Sequence, residues 1–251
     1  MSKITILLAL VAALASSALA AVVVEPYYAY RLSQRLGLTS VGYATQVHAD
    51  ITRHLNAEKL AQGTPVALMF YGDSTMEGLD VRAFGTGAVN HGIGGLTLGD
   101  VRADWEATSG VRAGRDVVLL AGFNDLARGR TVAESAADLA AMLAMRQPGE
   151  ATLVIGVLPT NPKGRLGRLV DNPSIMALNA ALEAQCAEAM GCAFADPAKA
   201  PFAFEAPLAA QFDAGDGVHL SAEGYRHLAR FIAKRLDRPD DAAGGQDGTG
   251  P

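Results

Sequence analysis

Short apolar runs alternate with segments of helical periodicity along most of this 251-residue chain. The runs are bounded by Gly, Asp and Asn, as is typical of buried strands in a parallel sheet. The runs predicted as strands are Val66 to Tyr71, Ala88-Val89, Asp116 to Ala121, Thr152 to Leu158 and Ala193 to Ala195. Because helical patterns separate them, the sequence predicts an α/β fold with one doubly wound parallel sheet.

Helical segments precede and follow these strands. The segment from Ser40 to about Leu60 is predicted as an amphipathic helix that leads into the first strand. Its apolar residues recur at a spacing of four: Val47, Ile51 and Leu55. Thr131, followed by Glu134 three residues later, predicts a capping box, and Ser221 predicts the start of the last helix.

The first residues carry a targeting signal. "MSKITILLALVAALASSALA" has one lysine, an apolar stretch and a small-x-small ending at Ala20, which predicts a secretory signal peptide over residues 1–20. The alternative is an uncleaved membrane anchor to about residue 24, because Ala21 to Val24 prolong the apolar stretch. Both alternatives predict an exported domain, periplasmic or secreted. Membrane contact is expected only if this segment is uncleaved.

Composition limits the classes of function. With 50% hydrophobic residues and 19% charged residues the chain predicts one folded domain, over residues 25–237. Residues 238–251 are rich in Gly, Asp and Pro and are predicted to be disordered. The net charge is −5 and the basic residues are scattered, so the sequence predicts no nucleic-acid partner.

Two cysteines, Cys186 and Cys192, flank the predicted end of a helix and the start of the last strand. In an exported domain they form either a small-loop disulfide or two buried thiols, and the sequence leaves both open. They do not belong to a Cys/His cluster of the kind that binds zinc. The sequence therefore indicates no structural zinc site, and the serine chemistry considered below requires no metal and no cofactor.

Four polar motifs follow predicted strands or precede the last helix: "GDS" at 72–74, "NHGIGG" at 90–95, "GFND" at 122–125 and "DGVH" at 216–219. The carboxyl ends of parallel strands meet at one edge of a sheet, where ligands bind. Taken singly, each motif is a cap or a turn. Together they supply a serine nucleophile, Ser74, a base, His219, and a carboxylate that orients it, Asp216. Gly95 and Asn124 are suitable oxyanion donors.

In this order the motifs resemble the SGNH, or GDSL-type, hydrolases. The resemblance spans roughly Ala67 to Leu236 and implies a flavodoxin-like three-layer α/β/α sandwich with a five-stranded parallel sheet. It implies a serine esterase that forms an acyl-enzyme on Ser74, with an oxyanion hole made by the N–H groups of Ser74 and Gly95 and the amide of Asn124. Alternatives are an exported acyltransferase that uses the same residues and a catalytically silent module that binds glycans or acyl groups.

The second motif departs from the family pattern, since Leu96 stands where relatives often carry aspartate. We therefore expect one supporting hydrogen bond to be missing. The substrate is expected to be a small-molecule, lipid or glycan ester. Phe202 and Phe204 are predicted to line an acyl pocket, or else to cover the sheet edge. The basic segment from Asn161 to Pro173 either favours an anionic substrate or is a solvated loop.

Overall fold

The computed structural model of the protein describes residues 41–61, 66–199 and 201–236. The predicted signal peptide or anchor and the predicted disordered tail lie outside these ranges. The chain divides into two compact units, residues 1–47 and 48–251. Of the first unit, only the beginning of a helix is described. The sheet and the candidate site belong to the second unit.

Five parallel strands form one sheet with the order β2-β1-β3-β4-β5. The strands are β1 Leu68–Gly72, β2 Ala88–Asn90, β3 Asp116–Leu120, β4 Ala151–Ile155 and β5 Cys192–Ala195. This order is that of flavodoxin-like sheets, whose ligands bind at the carboxyl edge near the point where the order reverses. The predicted fold class is confirmed. In this sheet, that point lies between β1 and β3.

Helices occupy both faces of the sheet. They are α1 Val41–Ala61, α2 Ser74–Glu77, α3 Leu98–Ala107, α4 Ser109–Arg112, α5 Phe123–Ala127, α6 Val132–Ala144, α7 Asn172–Glu188 and α8 Ala222–Arg235, with a 3-10 helix at Val81–Phe84. Alternate residues of each strand point to opposite faces. Tyr71 packs with Trp105 of α3 and Leu178 of α7, whereas Phe70 packs with Phe231 of α8. Two apolar cores therefore sandwich the sheet.

Local signals define the element ends well. The capping box of Thr131 and Glu134 forms at the start of α6, and Ser221 caps α8, as predicted. The predicted fourth strand extends too far, because pairing ends at Ile155. The Val157 backbone instead exchanges hydrogen bonds with the Asn179 side chain, at 2.7 and 2.9 Å. The Asn179 side chain of α7 thus takes the place of the next backbone hydrogen bonds between strands.

The helix predicted near residues 40–60 forms, but its apolar repeat does not face a core. Val47, Ile51 and Leu55 are exposed, and the buried side belongs to Ala49 and Asn56. Within the described ranges no helix combines the length and the apolar character that crossing a bilayer requires.

A disulfide joins Cys186 near the end of α7 to Cys192 at the start of β5. Of the two alternatives left open by the sequence, the structure therefore has the small-loop disulfide. The bond closes the turn between α7 and the edge strand.

Candidate active site

Ser74 lies at the turn between β1 and α2, at the carboxyl edge of the sheet. Gly72 allows this turn, because a Cβ there would collide with the Leu120 carbonyl oxygen of the neighbouring strand. Asp73 caps α2 by accepting a hydrogen bond from the Thr75 N–H at 3.0 Å. Asp73 is therefore the buried cap, while Ser74 occupies the first position of the helix.

His219 links Ser74 to Asp216. Its Nε2 lies 2.9 Å from Ser74 Oγ, and its Nδ1 lies 2.6 Å from Asp216 Oδ2. The other carboxylate oxygen of Asp216 accepts the N–H groups of Val218 and His219 at 3.0 and 2.9 Å. Burial raises the pKa of Asp216, but these hydrogen bonds outweigh it and hold the pKa below its ordinary value. Asp216 is thus an anion that orients the imidazole.

The basic segment from Asn161 to Pro173 supports this pair through its backbone. The N–H groups of Leu166 and Gly167 donate to the Asp216 carbonyl at 2.8 and 3.1 Å. A Cβ at Gly164 would collide with the Asp216 backbone, so glycine permits the close approach. The basic side chains of the segment, at Lys163, Arg165 and Arg168, are exposed, which fits both a solvated loop and a preference for anionic substrates.

The "NHGIGG" loop lies against Ser74. A Cβ at Gly94 would be 3.7 Å from the Ser74 Cβ, and Gly95 follows in the left-handed region with φ 81°. Asn124, at the start of α5, donates from Nδ2 to the Leu96 carbonyl at 3.0 Å. The N–H groups of Ser74 and Gly95 have no hydrogen-bond acceptor among the described residues. The structure thus places Gly94, the neighbour of Gly95, beside the serine and joins Asn124 to the same loop, and the oxyanion roles of Gly95 and Asn124 stay a prediction.

Polar contacts that the sequence did not predict hold this loop in place. Asp125 is fully buried, and its Oδ2 accepts the Leu98 N–H at 2.8 Å. Its Oδ1 pairs with Arg130 at 2.6 Å, and Arg128 donates to the Gly95 carbonyl. Leu96 itself is buried. The Asp125 contact fixes the residues just after Leu96, where the sequence predicted a missing bond.

Phe204 packs in the apolar core beside α8. It is 1% exposed and packs edge-on against Phe212, His227 and Phe231 beneath α8. This packing fits the alternative that the segment covers the sheet, but Phe204 also lines a cavity of about 180 Å³, so its role toward substrate stays a prediction. Phe202 also packs on His227, with ring centroids 5.7 Å apart, and its role toward substrate stays a prediction. The described residues contain no group of three or more His, Cys, Asp or Glu side chains placed to hold a metal ion.

The buried carboxyl of Asp73 makes the stability of the fold depend on pH. Burial raises its pKa to about 6, although the Thr75 N–H and the nearby His219 act to lower it. The unfolded chain releases the proton at lower pH than the folded chain, so ionisation costs stability as pH rises from about 4 to 6. Asp73→Asn keeps the cap and removes this cost. We expect its advantage in unfolding free energy to grow across that window to about 2–3 kcal/mol and then stay constant.

The measurement is urea unfolding of both proteins at pH 4, 5, 6 and 7. A stability difference between Asp73→Asn and the parent that does not change with pH would contradict the raised pKa. Asp171→Asn is the matched control, because Asp171 also caps a helix but is exposed, and hydrogen bonds to Ser174 lower its pKa instead. Its advantage should not grow with pH.

Comparison with known proteins identifies the family of this chain. The sequence profile of the GDSL-like lipase/acylhydrolase family matches residues 70–227, more than half of the chain. That range includes Ser74, Gly95, Asn124, Asp216 and His219. Among curated proteins, none is similar enough in sequence to count as a relative.

Solved structures share the fold over most of the chain. A protein from Streptococcus pneumonia is 22% identical with a TM-score of 0.66, covering 84% of this chain and 99% of its own. A GDSL-like lipase from Bacteroides thetaiotaomicron is 25% identical with a TM-score of 0.60, covering 74% and 97%. A carbohydrate acetylesterase from Sinorhizobium meliloti is 17% identical with a TM-score of 0.55, covering 68% and 98%. From the family match, this chain belongs to the GDSL-like lipases and acylhydrolases, hydrolases that act on esters.

Proposed function

We propose that this protein is a serine esterase that hydrolyses carboxylic esters through an acyl-enzyme on Ser74. The observation that carries the proposal is the continuous hydrogen-bonded series Ser74 Oγ, His219 and Asp216, with distances of 2.9 and 2.6 Å. A serine hydroxyl is a weak nucleophile unless a positioned base takes its proton, and this series supplies the base and its orienting anion.

In the proposed mechanism His219 Nε2 accepts the Ser74 proton while Oγ attacks the ester carbonyl. The N–H groups of Ser74 and Gly95 and the Asn124 amide stabilise the oxyanion of the tetrahedral intermediate. The intermediate collapses to the acyl-enzyme, and His219 gives the proton to the leaving alcohol. Water, deprotonated by His219, then attacks the acyl-enzyme, and the second tetrahedral intermediate releases the acid as His219 returns the proton to Ser74 Oγ. Asp216 stays ionised throughout and stabilises the imidazolium.

We propose short acyl groups as the preferred substrates. A cavity lined by the chain neighbours of Ser74, Asn124 and His219, namely Asp73, Thr75, Phe123 and Val218, together with Thr160 and others, has a volume of about 10 Å³. That is at the lower limit for a single water molecule, about 10–15 Å³, so a long acyl chain cannot extend into it. A solved relative described as a carbohydrate acetylesterase gives support to an acetyl ester, and the alcohol is a glycan or a small molecule.

We also propose that the domain is exported. The support comes from the signal-like residues 1–20 and from the Cys186–Cys192 disulfide, because disulfides persist mainly in oxidising compartments.

The experiment that tests the proposed activity is hydrolysis of p-nitrophenyl esters from acetyl to palmitoyl by the purified protein. We expect turnover that is fastest for acetyl to butyryl. Acceptor sugars added to the same reaction separate hydrolysis from transfer, since transfer yields acylated acceptor in excess of free acid. Folded protein with no turnover on any ester would overturn the proposal.

Asn124→Ala tests the oxyanion hole. Loss of one donor should reduce kcat by about 10²- to 10³-fold, because the donor acts on charge that develops in the transition state. KM should change little. Asn172→Ala is a control from the same sheet edge, since Asn172 binds the Thr160 backbone rather than the "NHGIGG" loop. Full activity in Asn124→Ala with an unchanged pH profile would remove Asn124 from the mechanism.

A further inference from the structure

Glu77 stands one turn after Ser74 on α2 and contacts two separate segments. Its Oε2 accepts the Gly94 N–H at 2.9 Å, and its Oε1 lies 2.8 Å from His48 Nε2 of α1. A Cβ at Gly94 would lie 2.7 Å from that Oε2 and 3.7 Å from the Ser74 Cβ. Gly94 therefore lies between the Glu77 carboxylate and Ser74. The proposed mechanism assigns no chemical step to this carboxylate.

The loop that carries Gly95 is fixed on both sides of this contact. Before it, the Ile93 N–H donates to the Gly72 carbonyl at 3.0 Å, and Asn90 donates to the Met76 carbonyl at 2.8 Å. After it, Arg128 and Asn124 hold the carbonyls of Gly95 and Leu96. Between these contacts lie two consecutive glycines, whose backbone rotates more freely than that of any other residue. The Leu96 N–H closes a turn across both glycines by donating to the Ile93 carbonyl at 3.4 Å, and Glu77 is the side chain that holds the Gly94 N–H within that turn.

We propose that Glu77 is a positioning residue of the oxyanion hole. By holding the Gly94 N–H, its carboxylate fixes the peptide plane between Ile93 and Gly94, from which the next peptide starts, and so directs the Gly95 N–H toward the oxyanion of the substrate. This role rests on the proposed esterase function. Because Ser74 and Glu77 belong to the same helical turn, one short helix sets both the nucleophile and the donor that faces it.

The test compares Glu77→Ala with Glu77→Gln in hydrolysis of p-nitrophenyl acetate. Glu77→Ala removes a charge-assisted hydrogen bond, and we expect kcat to fall by about 10- to 100-fold with little change in KM. Glu77→Gln keeps a carbonyl oxygen for the Gly94 N–H, so its kcat should stay within about threefold of the parent, as expected for loss of charge assistance alone. A carboxylate that acted only through its charge would give both variants the same change, and that result would overturn the proposal.

His48→Ala is the matched control. It removes the other partner of the carboxylate and keeps the Gly94 contact, so its kcat should resemble that of the parent. If Glu77 served only to attach α1, His48→Ala would reproduce the loss seen in Glu77→Ala, and the positioning role would be wrong.

Amide hydrogen exchange separates this proposal from the esterase proposal. In Glu77→Ala the amides of Gly94 and Gly95 should exchange faster than in the parent or in Glu77→Gln, whatever the catalytic activity. Amide exchange in Glu77→Ala that is the same as in the parent would overturn the positioning role alone. So would an unchanged kcat of Glu77→Ala, provided that Ser74→Ala is inactive. An active Ser74→Ala would overturn the proposed mechanism, and the exchange data would still decide whether Glu77 holds the loop.

Discussion

Ser74→Ala is expected to reduce ester hydrolysis by at least about 10⁴-fold, the largest effect on activity among the variants considered. The substitution removes the only atom that forms the covalent bond to the acyl group in the proposed mechanism. It leaves the oxyanion donors and the fold in place, because the Ser74 side chain is bonded to His219 alone among the described residues. The measurement is kcat/KM for p-nitrophenyl acetate, with thermal unfolding to confirm that the variant folds.

Two controls make the result specific to this serine. Ser174→Ala changes another serine of a first helical turn, one that hydrogen-bonds the exposed cap Asp171 of α7, and should leave kcat/KM unchanged. A fluorophosphonate probe should label the parent at the peptide that contains Ser74 and leave Ser74→Ala unlabelled. Labelling of a different residue, or turnover retained in Ser74→Ala, would show that the nucleophile is elsewhere.

The sequence was sufficient for the parts of the molecule that depend on local or periodic signals. Apolar runs predicted all five strands, and caps such as Thr131 and Ser221 predicted helix starts, since both depend on residues close in the chain. Ser74 and His219, 145 residues apart, were brought together by topology, because motifs at the carboxyl ends of parallel strands meet at one edge. The order of the strands, rather than the spacing of residues in the sequence, therefore predicts that Ser74 and His219 meet.

The contacts that the sequence did not predict join side chains to distant backbone. Glu77 reaches Gly94 and Asp125 reaches Leu98, and neither pairing has a fixed spacing. A partial signal existed for Glu77, which lies three residues after Ser74 and so on the same helical face. The role of Phe204 could not be predicted for a different reason: an apolar segment without caps fits a pocket wall and a core equally well.

The buried ion pair of Arg112 and Glu150 is another contact that no local sequence pattern predicts. Both side chains are 0% exposed, and Arg112 Nε lies 3.1 Å from Glu150 Oε2. The guanidinium also lies over the Trp105 ring, 4.1 Å from its centroid, and donates to the Trp105 and Met145 carbonyls. Glu150 in turn accepts the Gln147 N–H at 3.0 Å. One ion pair thus connects α3, α4 and the loop before β4.

Glu150→Ala is therefore expected to destabilise the fold by about 3–5 kcal/mol, because it leaves a buried guanidinium without its anion. The corresponding fall in Tm is about 6–20 °C for a domain of this size. Glu106→Ala, at an exposed position of α3, is the control and should change stability by less than about 0.5 kcal/mol. The measurement is urea unfolding monitored by circular dichroism, with Tm from a thermal scan.

The double variant Arg112→Met with Glu150→Ala distinguishes an uncompensated charge from a simple loss of packing. If the unpaired charge dominates, removing the guanidinium as well should recover part of the stability, since apolar groups replace buried ion pairs at little cost. If lost packing dominates, the two losses should add. Additive losses, or a Glu150→Ala protein as stable as the parent, would contradict the role assigned to this pair. Because the pair lies apart from the residues proposed for catalysis, the folded fraction of each variant should keep the parent's activity on p-nitrophenyl acetate.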